Sequence, residues 1–139
     1  MIKEIYSTVE PEKLLHLVCH TSQIDATRTD VIGASEYMQL AILNYKKGKT
    51  FKPHKHISKE VPEMAIAQES WVVLKGKVRA YFYDLNDEII AEEELNSGDV
   101  SITLYGGHNY EILEDGTLVL EYKTGPYYGQ AKDKVFIDE

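Results

Sequence analysis

The chain reads as an all-β domain, a sandwich or barrel of short antiparallel strands, with a brief helical preface. Three observations carry that expectation. About eight runs of strand-forming residues recur at short, regular spacing. Each run ends in a turn signal rich in Gly, Asn, Asp or Lys. The 139 residues, 43% hydrophobic and 27% charged, suffice for one self-contained core and are too few for two ordinary ones.

The helical pattern lies near the start. Glu10 and Pro11 open a segment in which Leu14, Leu15, Leu17 and Val18 recur at helical spacing, so a short helix over about 10–21 is expected, packed on the outside of the main body. Strands follow. Met38–Tyr45 ends at Lys46-Lys47-Gly48-Lys49, Ser70–Leu74 at Lys75-Gly76-Lys77, and Val78–Tyr83 at Asp84-Leu85-Asn86-Asp87. Glu88–Leu95 ends at Asn96-Ser97-Gly98-Asp99, and Val100–Leu104 at Tyr105-Gly106-Gly107. His108–Leu113 ends at Glu114-Asp115-Gly116, and Thr117–Lys123 at Gly125-Pro126. The Asn-Asp and Asp-Gly pairs suit tight hairpins. No repeat, low-complexity tract or linker interrupts the chain. One domain over 1–139 is therefore expected, with a barrel over about 36–124 and a tail over 125–139.

Charge narrows the partners. Fifteen basic against 23 acidic residues give a net charge of −8, which repels phosphate backbones and anionic lipid, so neither nucleic acid nor membrane is an expected partner. No run approaches the roughly 18 apolar residues of a spanning helix, and the N-terminal MIKEIYSTVEPEK has no apolar signal-peptide core. The single cysteine, Cys19, cannot form an internal disulfide and suits a reducing compartment, so a cytoplasmic location is expected.

Chemistry concentrates in four side chains. His54 and His56 form His-x-His, a spacing that puts both imidazoles on one face of a strand. Glu69 alternates with Trp71 and Val73 on what should be an inward face, where an unpaired carboxylate would cost several kcal/mol. His108 alternates with Tyr110 and Ile112 and also points inward. Two imidazoles on one face, a third from another strand and a carboxylate can together hold a transition metal.

These residues resemble the motifs of the cupin superfamily. Gly48, five residues, His54-x-His56, a gap, Glu69, six residues and Gly76 match its first motif; Gly98, Gly106 and His108 are similar to its second. The resemblance spans about residues 48–113. It departs from the family in a long gap between His56 and Glu69, in Leu104 where proline is usual, and in His108 arriving one residue early. Gly106-Gly107 can absorb that slip, because glycine adopts turn conformations barred to other residues. The resemblance implies a double-stranded β-helix, or jelly-roll barrel, with His54, His56, Glu69 and His108 ligating one divalent metal. Iron, manganese, nickel and zinc all accept such mixed ligation. It further implies a small enzyme acting on a polar metabolite, with carbohydrates or nucleotide-sugars of surface-polysaccharide biosynthesis the leading substrate class. The acid–base residue would be Tyr110, Glu60 or Glu63, the last two in the stretch 57–68 expected to loop over the barrel mouth. A metal-dependent dioxygenase and a non-catalytic ligand-binding module are the alternatives. Cupins commonly pair through sheet edges, so a homodimer is expected.

Other features have plainer readings. His16 and His20 stand four residues apart on the expected helix beside Cys19, but without the acidic partner of a helical metal motif they read as packing or surface groups. Ten tyrosines fit strand propensity as well as a ring-stacking lining. Arg79 shares a strand face with Tyr81 and Tyr83, where it would hold an anionic substrate if that face is the lumen and be a solvated charge if not, and the Glu92-Glu93-Glu94 run reads as a solvated hairpin end. The aromatic tail after Gly125-Pro126 is expected to cap the barrel or pack against a second subunit.

Overall fold

Strand-forming residues dominate the outcome. The computed structural model describes residues 1–57, 66–126 and 128–137. Its strands are β1 (Ile2–Tyr6), β2 (Leu14–Cys19), β3 (Arg28–Asp30), β4 (Ala41–Leu43) and β5 (Glu69–Lys75), then β6 (Lys77–Tyr83), β7 (Ile89–Asn96), β8 (Val100–Thr103), β9 (Gly107–Ile112) and β10 (Leu118–Lys123). A 3₁₀ turn spans Thr21–Gln23, and one α-helical turn, α1 (Gln130–Asp133), follows near the end. A five-stranded sheet runs β1-β2-β8-β5-β10, a three-stranded sheet β7-β6-β9, and β3 and β4 form a hairpin. Every pairing is antiparallel.

Two apolar clusters hold these layers. Between the sheets, Ile5, Val18 and Val73 meet Val78, Ala80, Phe82 and Leu95. On the outer face of the large sheet, Leu17, Cys19, Val100, Ile102 and Leu104 pack under Ile32 and Met38, contributed by the arm around β3 and β4. Asp84 adds a polar tie: its buried carboxylate accepts hydrogen bonds from the Ser7 hydroxyl at 2.5 Å and from the backbone N–H groups of Thr8 and Leu85 at 2.6 and 2.7 Å. That joins the β1–β2 turn to the β6–β7 turn. Its hydrogen bonds overcome the cost of burial and hold the carboxyl well below the usual range.

The expected helix over about 10–21 is not formed. Its apolar residues lie in β2, between β1 and β8. The reason is burial on both faces: Val18 enters the inter-sheet core while Leu17 and Cys19 enter the outer one. Such a strand loses its polar alternation and reads as a continuous apolar run, which helical spacing matches equally well. The Met38–Tyr45 strand contracts to β4, which among the described residues pairs with β3 alone. Residues 50–57, carrying His54 and His56, have no regular structure, so those imidazoles do not stand on a strand. The other expected strands form within two residues of the expected ends. Among the described residues, no helix is long and apolar enough to cross a membrane.

Candidate functional site

Register builds the site. In the large sheet His16 lies opposite Thr103, Thr103 opposite Glu69, and Glu69 opposite Lys123. These four form one row across β2, β8, β5 and β10. The next row on the same face holds Val18, Ser101, Trp71 and Glu121. Over these rows lies β9 of the small sheet, whose His108 and Tyr110 are opposite Phe82 and Ala80 of the inter-sheet core. Strand alternation thus brings polar side chains from five strands to one end of the gap between the sheets.

A continuous hydrogen-bonded chain results. Glu69 Oε1 lies 3.1 Å from His108 Nε2. His108 Nδ1 lies 3.0 Å and His16 Nδ1 3.1 Å from the Thr103 hydroxyl. His16 Nε2 lies 3.1 Å from the Tyr83 carbonyl oxygen. Gly106 permits this: its φ is +79°, and a Cβ there would come within 2.5 Å of the Tyr83 carbonyl oxygen and 3.2 Å of His16 Nε2. His16 is fully buried, and desolvation lowers its pKa to about 4 against the weaker support of the Tyr83 carbonyl. It is therefore neutral at pH 7. Burial opposes ionisation of Glu69, but His108, the Trp71 indole N–H at 3.2 Å and the charge of Lys123 outweigh it, holding this carboxyl below its ordinary range.

Beside the chain stands an aromatic pair. Trp71 and Tyr110 stack with ring centres 3.9 Å apart and planes 8° apart, and the Tyr110 hydroxyl meets that of Ser101 at 2.9 Å. Burial, then the charges of Glu69 and Glu121, push the Tyr110 phenol upward against its hydrogen bond to Ser101. At neutral pH it can give a proton or a hydrogen bond but does not serve as a base. These groups line a pocket of about 500 Å³ with Glu69, Trp71, His108 and Tyr110 on its walls. The end of α1 and the tail beyond it close one side through residues 133–137. An ion pair from Lys123 to Asp133 at 3.1 Å ties it down. Ile137 occupies the space beside Gly107, where a Cβ would sit 2.5 Å from its Cδ1.

The expected site residues divide. Glu69, His108 and Tyr110 meet in this pocket. His54 and His56 pair with each other, ring centres 5.4 Å apart, in an exposed segment where His54 Nδ1 contacts the Lys52 carbonyl oxygen at 3.0 Å. Among the described residues no group of three or more His, Cys, Asp or Glu is gathered as a metal would require. Glu60 and Glu63 lie outside the described residues. Arg79 is on the face of β6 opposite Val78, Ala80 and Phe82 and lies 3.8 Å from both Glu94 and Glu111, so it is a surface cation. His16 was expected only as a packing or surface group, and Thr103 and Ser101 carried no expected role. The visible signal was two hydroxyl residues at alternate positions of the short apolar strand β8. Compared with protein-family models, curated proteins and solved structures, the chain has no match.

Proposed function

We propose that this chain is a metal-dependent enzyme of the cupin type, acting on a small polar metabolite, with a carbohydrate or nucleotide-sugar as the leading substrate class. The observation that carries the proposal is the Glu69–His108 pair, 3.1 Å apart in a pocket of about 500 Å³. Two adjacent ligands held at ~2.1 Å from one divalent ion stand about 3.0 Å apart when they subtend a right angle. The pair therefore has the bite of two metal ligands, and His108 Nε2 is the nitrogen turned toward Glu69. His54 and His56 would complete the set by bringing the segment 50–57 over the pocket. The ion would act as a Lewis acid on a substrate oxygen. Tyr110, held protonated, is suited to donate to that substrate, and the Trp71–Tyr110 stack offers it an apolar wall.

Metal analysis of protein purified without chelator tests this. One divalent ion per chain is expected, lost in His108→Ala and in Glu69→Gln. Wild-type protein that takes up no iron, manganese, nickel or zinc, or a His108→Ala variant with full metal content, would overturn it. A non-catalytic binding pocket is the second reading, favoured by the exposed position of His54 and His56. It requires ligand binding that survives metal removal. A homodimer paired through β10, an edge strand among the described residues, belongs to either reading.

A further inference from the structure

The two histidines and the threonine between them do more than fill space. Four contacts link the Tyr83 carbonyl oxygen, His16, Thr103, His108 and Glu69, and each needs one proton. The carbonyl oxygen can only accept, so His16 Nε2 carries the His16 proton and its Nδ1 is a bare acceptor. Thr103 also neighbours the Tyr110 hydroxyl, which has its own proton and the Ser101 hydroxyl as partner, so the one Thr103 proton goes to the bare His16 Nδ1. The Thr103 oxygen then accepts from His108 Nδ1–H. His108 Nε2, facing the Glu69 carboxylate, is left to be filled by a cation, either a fourth proton or a metal ion. We infer that Thr103 and His16 are positioning residues, which fix the proton of His108 on Nδ1 and aim Nε2 at a cation shared with Glu69.

The direction of the chain comes from burial. Neither His16 nor Thr103 has room to turn: their exposures are 0% and 4%, and the His16 ring packs 4.8 Å from Phe82. A ligating histidine whose second nitrogen donates to a fixed partner binds its ion in a set orientation, and removing such a partner typically costs about 10–100-fold in metal affinity. This inference rests on the metal-binding proposal only for its choice of cation. The hydrogen-bond direction stands without it.

The test uses the full-length chain, ¹⁵N-labelled, with Thr103→Val and Thr103→Ser variants. In metal-free wild type, ring nitrogen shifts should show His108 Nδ1 protonated and His16 Nδ1 bare, with a slowly exchanging His108 Nδ1–H resonance. Thr103→Ser should keep that resonance and Thr103→Val should lose it. Zinc titration should give an affinity about 10–100-fold weaker for Thr103→Val than for Thr103→Ser. A bare Nδ1 on His108 in the wild type would overturn the inference, as would equal zinc affinities in the two variants. If no variant binds zinc, the metal-dependent enzyme falls, and the ring N–H spectra alone still decide the positioning role.

Discussion

At the scale of single residues, His16 shows how a buried group sets a pH limit on the whole fold. Its pKa is about 4 in the folded chain against an ordinary 6.5, because burial disfavours the imidazolium. The unfolded chain therefore binds more protons than the folded one between those values. Stability is full above pH 6.5 and is lost as pH falls toward 4, by about 3 kcal/mol for a shift of this size. Urea unfolding of the wild type at successive pH values should show that decline, and a His16→Gln variant should lack its share of it. Parallel curves would mean that His16 stays hydrated or becomes charged in the folded state. None of this was legible from residue type alone. His16 and His20 looked alike on an expected helix, yet His16 is sealed in the row with Thr103 while His20 reaches Asp99 at 3.0 Å at the rim. What separated them was the partner strand, which a local pattern does not contain.

At the scale of elements, strands rich in β-branched or aromatic residues and bounded by turn signals were readable, β5 among them although Val73 and Val72 pack into different clusters, while the leucine-rich β2 was not. The alternation in β6 buries Val78, Ala80 and Phe82 and leaves Lys77, Arg79, Tyr81 and Tyr83 partly exposed, as the period of two requires. β2 kept no such contrast, so tertiary burial overrode its local reading. Of the site, Glu69, His108 and Tyr110 followed from the same alternation, since each lies on the inward side of its strand. The tail's contribution depends on where the chain returns after β10, which no spacing encodes. Residues 133–137 form a pocket wall held by Lys123–Asp133 and Ile137, while Val135 and Phe136 are 90% and 75% exposed. So slight an anchorage should be easy to release. Trp71 is the only tryptophan and lines the same pocket, so its fluorescence reports the tail. Asp133→Asn combined with Ile137→Ser should raise acrylamide quenching of Trp71 about twofold or more with unchanged far-UV circular dichroism. Unchanged quenching would show that the tail does not shield the pocket.

At the scale of the whole molecule, the large sheet is unevenly covered. The arm bearing Ile32 and Met38 roofs its outer face over β2 and β8. Among the described residues that arm does not reach β10, where Leu118, Leu120 and Tyr122 are about half exposed. Leu120 and Tyr122 stand opposite Val72 and Ser70 of β5, beside the covered apolar face, so the bare patch continues a core surface. β10 is also an edge: among the described residues, one row of its backbone N–H and C=O groups pairs with no strand. Edges of this kind are usually blunted by lysine, proline or a bulge in the strand's middle. In β10 the one register shift lies at its start, between Leu118 and Val119, and its lysine stands at the far end. Antiparallel pairing of β10 with a second copy about Leu120 would set Leu120 against itself and Leu118 against Tyr122. It would satisfy both edges and bury matching apolar residues, as a two-fold interface demands. The chain should therefore run at twice its 15.9 kDa in light scattering. Leu120→Lys, which puts like charges face to face at the two-fold axis, should return it to a monomer with the fold and the Glu69–His108 pocket intact. A wild-type monomer at micromolar concentration would rule this interface out and require another cover for β10.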